Sequence, residues 1–193
     1  MYNGHWKKNF KHGHGVGYDT IKKIRNYEGQ WYKGLKKGHG LEYDDNSNCI
    51  FDGQWENSLR NGTGRSYDEK GIKVYEGEWL DGLAYGTGYE YNKIGDVMYQ
   101  GQFKSGLRDG LGICNFENGK PQYDGSWKGG KAHGKGTYYH RSGDPLYEGK
   151  FESGLKNGYG TEFASEDGRI IYKGEWLAGT YSGQGASYYK NSA

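Results

Sequence analysis

The sequence predicts an all-β protein, an elongated solenoid of eight stacked antiparallel β-hairpins. A unit of 24 or 25 residues recurs through the whole 193-residue chain, which contains 37 glycines and 20 tyrosines. No segment shows helical periodicity or a helix-capping pattern. Because a buried aromatic ring removes about 150–250 Å² from water, tyrosine and tryptophan can supply a thin core where aliphatic residues are scarce.

The repeat is defined by fixed aromatic and glycine positions, numbered here from the first aromatic residue of each unit. Glycine follows at +2, a second aromatic residue at +4, and two more glycines at +11 and +13; every tryptophan lies at +4. Such a register predicts one repeat array over residues 1–193. The units begin at Tyr2, Tyr27, Phe51, Tyr75, Tyr99, Tyr123, Tyr147 and Tyr172.

Each unit is predicted to form one β-hairpin. The aromatic residues at 0 and +4 share one face of the first strand, and the glycine at +2 lets a ring lie directly on the backbone. A tight turn is expected between +5 and +10. The second strand then runs through +11 and +13 to an aromatic residue at +16, such as Tyr43, which we expect to add to the same core. The predicted core includes Tyr27, Gly29, Trp31, Tyr75, Gly77, Trp79, Tyr123, Gly125 and Trp127.

One unit, Tyr27–Gly40, reads Tyr-Glu-Gly-x-Trp-x-x-Gly-x-x-x-Gly-x-Gly, and the unit at Tyr75–Gly88 follows the same pattern. The pattern resembles the MORN (membrane occupation and recognition nexus) repeat, and the resemblance covers the chain from Tyr2 to Tyr189. It implies a β-hairpin solenoid that serves as a non-catalytic scaffold or targeting module. MORN repeats occur in cytoskeletal, ciliary and membrane-junction proteins, and beside lipid-kinase or lysine-methyltransferase domains.

Both ends of the array are expected to expose strand edges, because the first unit begins at Tyr2 and no capping unit is evident. Three alternatives follow. The chain is a fragment of a larger protein, it forms a homodimer through a solenoid end, or a partner covers the end.

The sequence predicts no enzyme, no cofactor and no metal site. His12, His14, His39 and His133 fall at recurrent repeat positions without accompanying ligands, and the Gly-x-Gly pairs lack the following helix of a phosphate loop. Cys49 and Cys114 can form a disulfide, but we expect free thiols in a reducing, cytoplasmic location. No apolar run approaches the length of a membrane span.

The basic residues are concentrated near the start of the chain. Residues 1–40 contain nine Lys or Arg against two acidic residues, net +7, and the other 153 residues carry net −5. A candidate anionic-ligand patch is therefore Lys22, Lys23, Arg25, Lys36 and Lys37. It can meet an anionic membrane, an acidic protein or only solvent. We expect no nucleic-acid binding, because the aromatic residues belong to the core.

Leucine recurs at +8, next to the predicted turn. A candidate partner groove comprises Leu59, Leu83, Tyr85, Leu107, Leu155 and Tyr159. These side chains either pack between neighbouring turns or receive a protein partner. The favoured hypothesis is a scaffold for protein partners, with cytoskeletal or ciliary proteins as the expected class. The alternatives are a module that binds anionic phospholipids and the non-catalytic part of a larger lipid kinase or methyltransferase.

Overall fold

The structure is a computed structural model that describes residues 1–189, and within this range it contains strands and turns but no helix. Contacts divide the chain into two compact parts, Met1–Asp96 and Val97–Ala193. From here on we call these parts the first and the second unit, and we call each 24- or 25-residue element a repeat. Each unit holds four of the eight repeats, and every repeat forms one hairpin of two antiparallel strands. The predicted all-β class and the eight β-hairpins are therefore confirmed.

The first unit contains eight strands that pair in chain order, so each hairpin also pairs with the next. They are β1 (Tyr2–Lys7), β2 (Phe10–Tyr18), β3 (Arg25–Tyr32), β4 (Leu35–Tyr43), β5 (Cys49–Glu56), β6 (Leu59–Tyr67), β7 (Lys73–Leu80) and β8 (Leu83–Tyr91).

The second unit repeats this arrangement with eight further strands in chain order. They are β9 (Val97–Lys104), β10 (Leu107–Asn115), β11 (Pro121–Lys128), β12 (Lys131–Tyr139), β13 (Pro145–Glu152), β14 (Leu155–Phe163), β15 (Ile170–Leu177) and β16 (Thr180–Ser187).

The turn inside each hairpin consists of two residues at +6 and +7, within the segment from +5 to +10 where the sequence predicts a tight turn. Both adopt positive φ: Lys33 and Gly34 have φ of 48° and 87°, and Asp81 and Gly82 have 49° and 88°. This is the type I′ geometry, whose twist matches that of the flanking strands.

A bulge in the second strand explains the glycine at +11. In the second hairpin Gly29 faces Gly40 and Trp31 faces Lys36. An advance of two residues along β3 is thus matched by four residues of β4, so β4 contains two extra residues at this place. Gly38 lies in this bulge with φ of 70°. Glycine adopts such a conformation without the steric penalty that other residues meet.

The glycines at +2 and +13 face each other across every strand pair and form a continuous line that we call the glycine row. In the first unit it runs Gly4, Gly15, Gly29, Gly40, Gly53, Gly64, Gly77 and Gly88. In the second unit it runs Gly101, Gly112, Gly125, Gly136, Gly149, Gly160, Gly174 and Gly185.

The aromatic ring at position 0 lies on this row, as the sequence predicts. The hydroxyl of Tyr27 donates a hydrogen bond to the carbonyl of Gln30, 3.1 Å away. A Cβ added to Gly40 would come within 2.2 Å of the same hydroxyl oxygen. The ring therefore occupies the space where other residues carry a side chain, and Tyr27 is fully buried.

Where tryptophan stands at +4, it joins its hairpin to the preceding one, as at Trp31, Trp55, Trp79, Trp127 and Trp176. The indole Nε1–H of Trp55 donates to the carbonyl of Gly40, and that of Trp79 donates to the carbonyl of Gly64, both at 3.1 Å. Trp55 also contacts the edges of Phe51 and Tyr27, with ring centroids 5.3 Å apart in both pairs. The aromatic rings at 0 and +4 thus alternate edge to face along each unit, a favourable geometry.

The aromatic residue at +16 does not join this core, contrary to the expectation for Tyr43. Glu42 stands opposite Tyr27, so the next residue points to the other side of the sheet. Tyr43 instead stacks on the guanidinium of Arg25, whose Cζ lies 3.8 Å from the ring centroid. The expectation was wrong because +16 lies three residues after the core glycine at +13, and side chains an odd number of residues apart point to opposite faces of a strand.

Candidate functional surfaces

The sheet of each unit has two faces of different character. The aromatic face carries the side chains at 0, +4, +9 and +15. The opposite face carries those at +1, +3, +5, +8, +10, +12 and +14. The aromatic face is filled by its own rings and by basic side chains that cover them, so candidate binding surfaces lie on the opposite face.

The side chain at +9 covers the rings of the aromatic face. The cation stands over the tryptophan of the next repeat: Nζ of Lys36 lies 4.2 Å from the Trp55 ring centroid, and Cζ of Arg60 lies 5.3 Å from that of Trp79. Such cation–π contacts contribute about 0.5–1 kcal/mol when exposed and more when desolvated. The same pattern occurs at Lys11, Arg108 and Lys156.

Glu42, at position +15 of the second repeat, forms ion pairs with two of these cations. Lys36 lies 3.0 Å and Arg60 2.7 Å from the carboxylate of Glu42. Burial alone would raise the pKa of Glu42, but the hydrogen bonds and charges of Arg60 and Lys36 outweigh it, so the pKa lies below its usual value. Lys36 is therefore part of the core.

The role of +9 was not predicted, although the sequence carries a signal for it. Lysine or arginine precedes a repeat with tryptophan at +4, whereas Ala84 and Ala132 precede the repeats with Phe103 and Phe151. Comparing each +9 residue with the aromatic residue of the following repeat would have revealed the pairing.

An apolar row runs along the opposite face of the first unit, beside the hairpin turns. Leu59 begins β6 and Leu83 begins β8, where it faces Leu80; Tyr85 follows two residues later. We define the apolar row as Tyr32, Leu35, Leu59, Leu80, Leu83 and Tyr85, and the structure leaves 42–50% of each residue exposed. Packing between neighbouring turns therefore leaves nearly half of the surface of each of these residues accessible to solvent.

The remaining residues of the candidate groove lie in the second unit and do not form one row. Leu107 and Leu155 are about half exposed, but the hairpin between them carries Lys131 at the equivalent position. Tyr159 lies further along β14, opposite Glu175.

The five residues of the candidate basic patch lie at opposite ends of β3. Lys22 and Lys23 lie in the turn before β3, and Arg25 is the first residue of that strand. Lys36 and Lys37 lie beyond the hairpin turn, near the start of β4. An eight-residue strand spans roughly 24 Å, so these residues do not form one cluster. Their charged groups also have partners within the chain: Lys22 contacts Asp45, Lys23 donates to the Thr20 carbonyl, Arg25 contacts Glu28, Lys36 contacts Glu42, and Lys37 contacts Glu56.

A shallow groove follows the glycine row on the opposite face of the first unit, and its charged side chains are paired. Nε2 of His39 lies 2.8 Å from Oδ1 of Asp52. Glu76 accepts hydrogen bonds from both Lys73 and Arg65, which lower its pKa to about 2. This groove is lined by both signs of charge in close contact.

The second unit has a corresponding groove with a different charge pattern. We call it the lysine groove; it is lined by Lys135, Gly136, Thr137, Glu148, Gly149, Lys150, Tyr159, Gly160, Thr161 and Lys173. The glycines form its floor, and all three lysine side chains are exposed.

Within residues 1–189 no group of three or more His, Cys, Asp or Glu residues could hold a metal ion. The ring of His12 packs against Tyr32, with centroids 5.3 Å apart. Both cysteines are free thiols. The described part of the chain also contains no helix long and apolar enough to cross a membrane.

Comparison with known proteins identifies the repeat. The family model described as MORN repeat matches eight times, at residues 2–16, 27–49, 51–72, 75–97, 99–120, 123–144, 147–167 and 172–193. The matches begin at the eight aromatic residues that define position 0. No curated protein matches the chain.

Proposed function

Because the chain belongs to the MORN-repeat family, we propose that it is a non-catalytic scaffold that binds a protein partner through the apolar row of its first unit. The observation that carries this proposal is the exposure of Leu59, Leu83 and Tyr85 at consecutive hairpins on one face. Partly exposed leucines at a fixed repeat position are typical of an interaction surface, whereas singly scattered ones are not.

The geometry favours an extended or helical apolar segment as the bound element. Equivalent residues of successive hairpins are two strands apart, or roughly 9.6 Å. Tyr85 and Tyr32 supply large rings that combine an apolar body with a hydroxyl, the type of side chain that often anchors an interface. Cytoskeletal or ciliary proteins are the expected class of partner, and a cytoplasmic location follows from that expectation.

The experiment compares proteins captured from the native cell by the wild type and by a Leu59→Ser/Leu83→Ser variant. We expect the variant to lose the captured partner while its melting temperature changes little, since both side chains are about half exposed. Ile94→Ser is the matched control, because Ile94 is 79% exposed and lies in a turn away from the row. Equal capture by the two proteins would contradict the proposal.

Binding to anionic phospholipids is a weaker alternative for the basic residues of the first unit, because their charged groups are spread over two ends of β3 and engaged within the chain. Exposed ion pairs contribute little, so a membrane could still compete for Lys22 and Lys37. Sedimentation with phosphoinositide vesicles tests this alternative. Salt-sensitive binding that is lost on charge reversal at these lysines would favour it.

A further inference from the structure

Lys135 and Lys150 stand directly opposite each other where β12 pairs with β13. In this pairing the +12 residue of one repeat faces the +3 residue of the next. The other pairs of this type that the structure describes are His14–Gln30, His39–Gln54, Thr63–Glu78, Leu111–Ser126 and Tyr159–Glu175. Lys135–Lys150 is thus the one like-charge pair among them, and like charges directly opposite each other destabilise a sheet.

This repulsion is not relieved from within the described chain. No ion pair joins Lys135, Lys150 or Lys173 to a carboxylate of residues 1–189. Glu148 shares the groove without forming such a pair. The equivalent groove of the first unit differs, because its His39 and Arg65 each contact an acidic side chain.

The lysines are spaced for a ligand with several negative charges. Lys135, Lys150 and Lys173 lie on β12, β13 and β15, so they extend over three strand spacings, roughly 14 Å. An extended peptide places every second side chain on one side, about 7 Å apart, so carboxylates at alternate positions span the same length. A single phosphate group is too small to reach all three lysines.

The rest of the groove also suits a polypeptide. The floor is made of Gly136, Gly149 and Gly160, which carry no side chains and let a backbone approach closely. Tyr159 is 55% exposed and presents a ring beside the lysines. The hydroxyls of Thr137 and Thr161 can donate hydrogen bonds to a peptide carbonyl.

We propose that the lysine groove binds an extended acidic segment of a protein partner, with one carboxylate between Lys135 and Lys150 and another at Lys173. This inference rests on the proposed scaffold function and adds the chemistry of a partner segment at a second place on the chain. Binding relieves the Lys135–Lys150 repulsion, so part of the favourable free energy comes from destabilisation already present in the free protein.

The first experiment measures fluorescence polarisation of a labelled peptide in which glutamate alternates with glycine, using the full chain. We expect Lys135→Gln/Lys150→Gln to weaken binding about tenfold, equivalent to about 1.4 kcal/mol. Lys70→Gln/Lys93→Gln removes the same charge from exposed turns of the first unit and should bind like the wild type. Equal binding by both variants, or binding of a glutamine–glycine peptide as tight as that of the acidic one, would overturn the proposal.

The same variants are tested with phosphatidylserine vesicles and with inorganic phosphate. No binding beyond a general salt-sensitive background is expected from either probe. If vesicles bind through Lys135 and Lys150 while the acidic peptide does not, the groove is a membrane site and the proposal fails.

The second experiment uses the stability of the free protein. Lys150→Glu places opposite charges across the strands, so we expect its melting temperature to rise by a few degrees while peptide binding is lost. Lys150→Gln should lie between the wild type and Lys150→Glu in both measurements. A lower melting temperature with normal far-UV circular dichroism, or retained peptide binding, would contradict the inference.

The two proposals fail independently. Partner capture that depends on Leu59 and Leu83 but not on Lys135 and Lys150 would support the scaffold function and reject the acidic segment. Peptide binding at the lysine groove without any dependence of capture on Leu59 and Leu83 would reject only the apolar row.

Discussion

Gly40 shows how a core with few aliphatic residues reaches a high packing density. The ring of Tyr27 covers it on the aromatic face, and the Cα of Gly29 faces it across the hairpin. No methyl group fits between these atoms. The side chain at position 0 and the glycine at +13 therefore form one packing unit, in which the smallest residue is as necessary as the largest.

Gly40→Ala is expected to lower the free energy of unfolding by about 1–3 kcal/mol, the usual cost of overpacking a core. The added Cβ would lie 2.2 Å from the Tyr27 hydroxyl oxygen and 2.4 Å from Cζ. Denaturant unfolding followed by circular dichroism measures the change. The control is Gly71→Asn in an open turn with φ of 78°, where no atom lies within 4 Å of an added Cβ. Asparagine tolerates that conformation, so a loss as large as that of Gly40→Ala would contradict the packing argument.

Trp79→Phe tests the connection between repeats. The change leaves the Gly64 carbonyl without its indole donor and removes the larger ring beneath Arg60, so we expect a loss of about 1–3 kcal/mol in the free energy of unfolding. A double-mutant cycle with Arg60→Ala should give a coupling of about 0.5–1 kcal/mol. Additive effects would show that the pairing of +9 cations with tryptophan has another cause.

At the scale of the hairpin, one tyrosine hydroxyl binds a backbone carbonyl of its own strand, at the place where the first strand lies opposite the bulge. The Tyr147 hydroxyl donates to the Lys150 carbonyl at 3.0 Å, and the Tyr123 hydroxyl donates to the Ser126 carbonyl at 2.9 Å. Burial raises the pKa of both tyrosines to about 12. Hairpin stability is therefore linked to the protonation of these phenols.

The protein should lose stability in alkali between about pH 10 and pH 12. Unfolded tyrosine ionises near pH 10. These two tyrosines remain protonated in the fold to about pH 12, so their contribution is complete below pH 10 and disappears as the pH rises through 12. Tyr147→Phe should lose less stability over this range, although it is less stable at pH 7 by about 1 kcal/mol for the lost hydrogen bond. The same change at Tyr189, which is 87% exposed, is the control. Chemical unfolding at several pH values measures the effect, and parallel pH profiles for the two variants would contradict it.

The sequence predicted the hairpins well because their determinants are local. Lys33–Gly34 and its equivalents adopt the expected tight turn, and the Tyr-Gly-Trp spacing places both rings on one face. The side of the sheet reached by Tyr43 could have been predicted, because it lies three residues after the core glycine Gly40 and side chains alternate along a strand. The opposition of Lys135 and Lys150 could not be predicted, because it depends on the register between two successive hairpins. The separation of Lys23 from Lys36, in contrast, follows from the predicted hairpin and could have been anticipated.

At the scale of the whole molecule, the connections between successive hairpins within each unit are nearly equivalent. The turn residue at +7 of one hairpin donates its N–H to the +9 carbonyl of the hairpin before it, as Gly34 does to Lys11 and Ser58 to Lys36. Tryptophan and the +9 cation add the same contacts at most connections. A hairpin should therefore accept a neighbour from another place in the array.

Removal of residues 51–74, one complete repeat, should leave a folded protein. Tyr75 then follows Ile50, the Gly40 carbonyl can accept the Trp79 indole, and Lys36 can cover the Trp79 ring. We expect the denaturant dependence of the unfolding free energy to fall by about one eighth, since it scales with the surface exposed. Removal of residues 51–62, half a repeat, is the control. It should abolish cooperative unfolding because the strand positions no longer match. Similar behaviour of both deletions would contradict the equivalence of the connections.

The indole bonds between hairpins also give the protein a set of built-in optical reporters. The indoles of Trp31 and Trp55 donate to the Gly15 and Gly40 carbonyls of the preceding repeats, so their fluorescence should change when the two repeats separate. Trp6, which is 59% exposed, should emit at longer wavelength than these buried rings. Variants that keep one tryptophan at a time would therefore show, by the wavelength of their emission, the order in which neighbouring repeats separate as the protein unfolds.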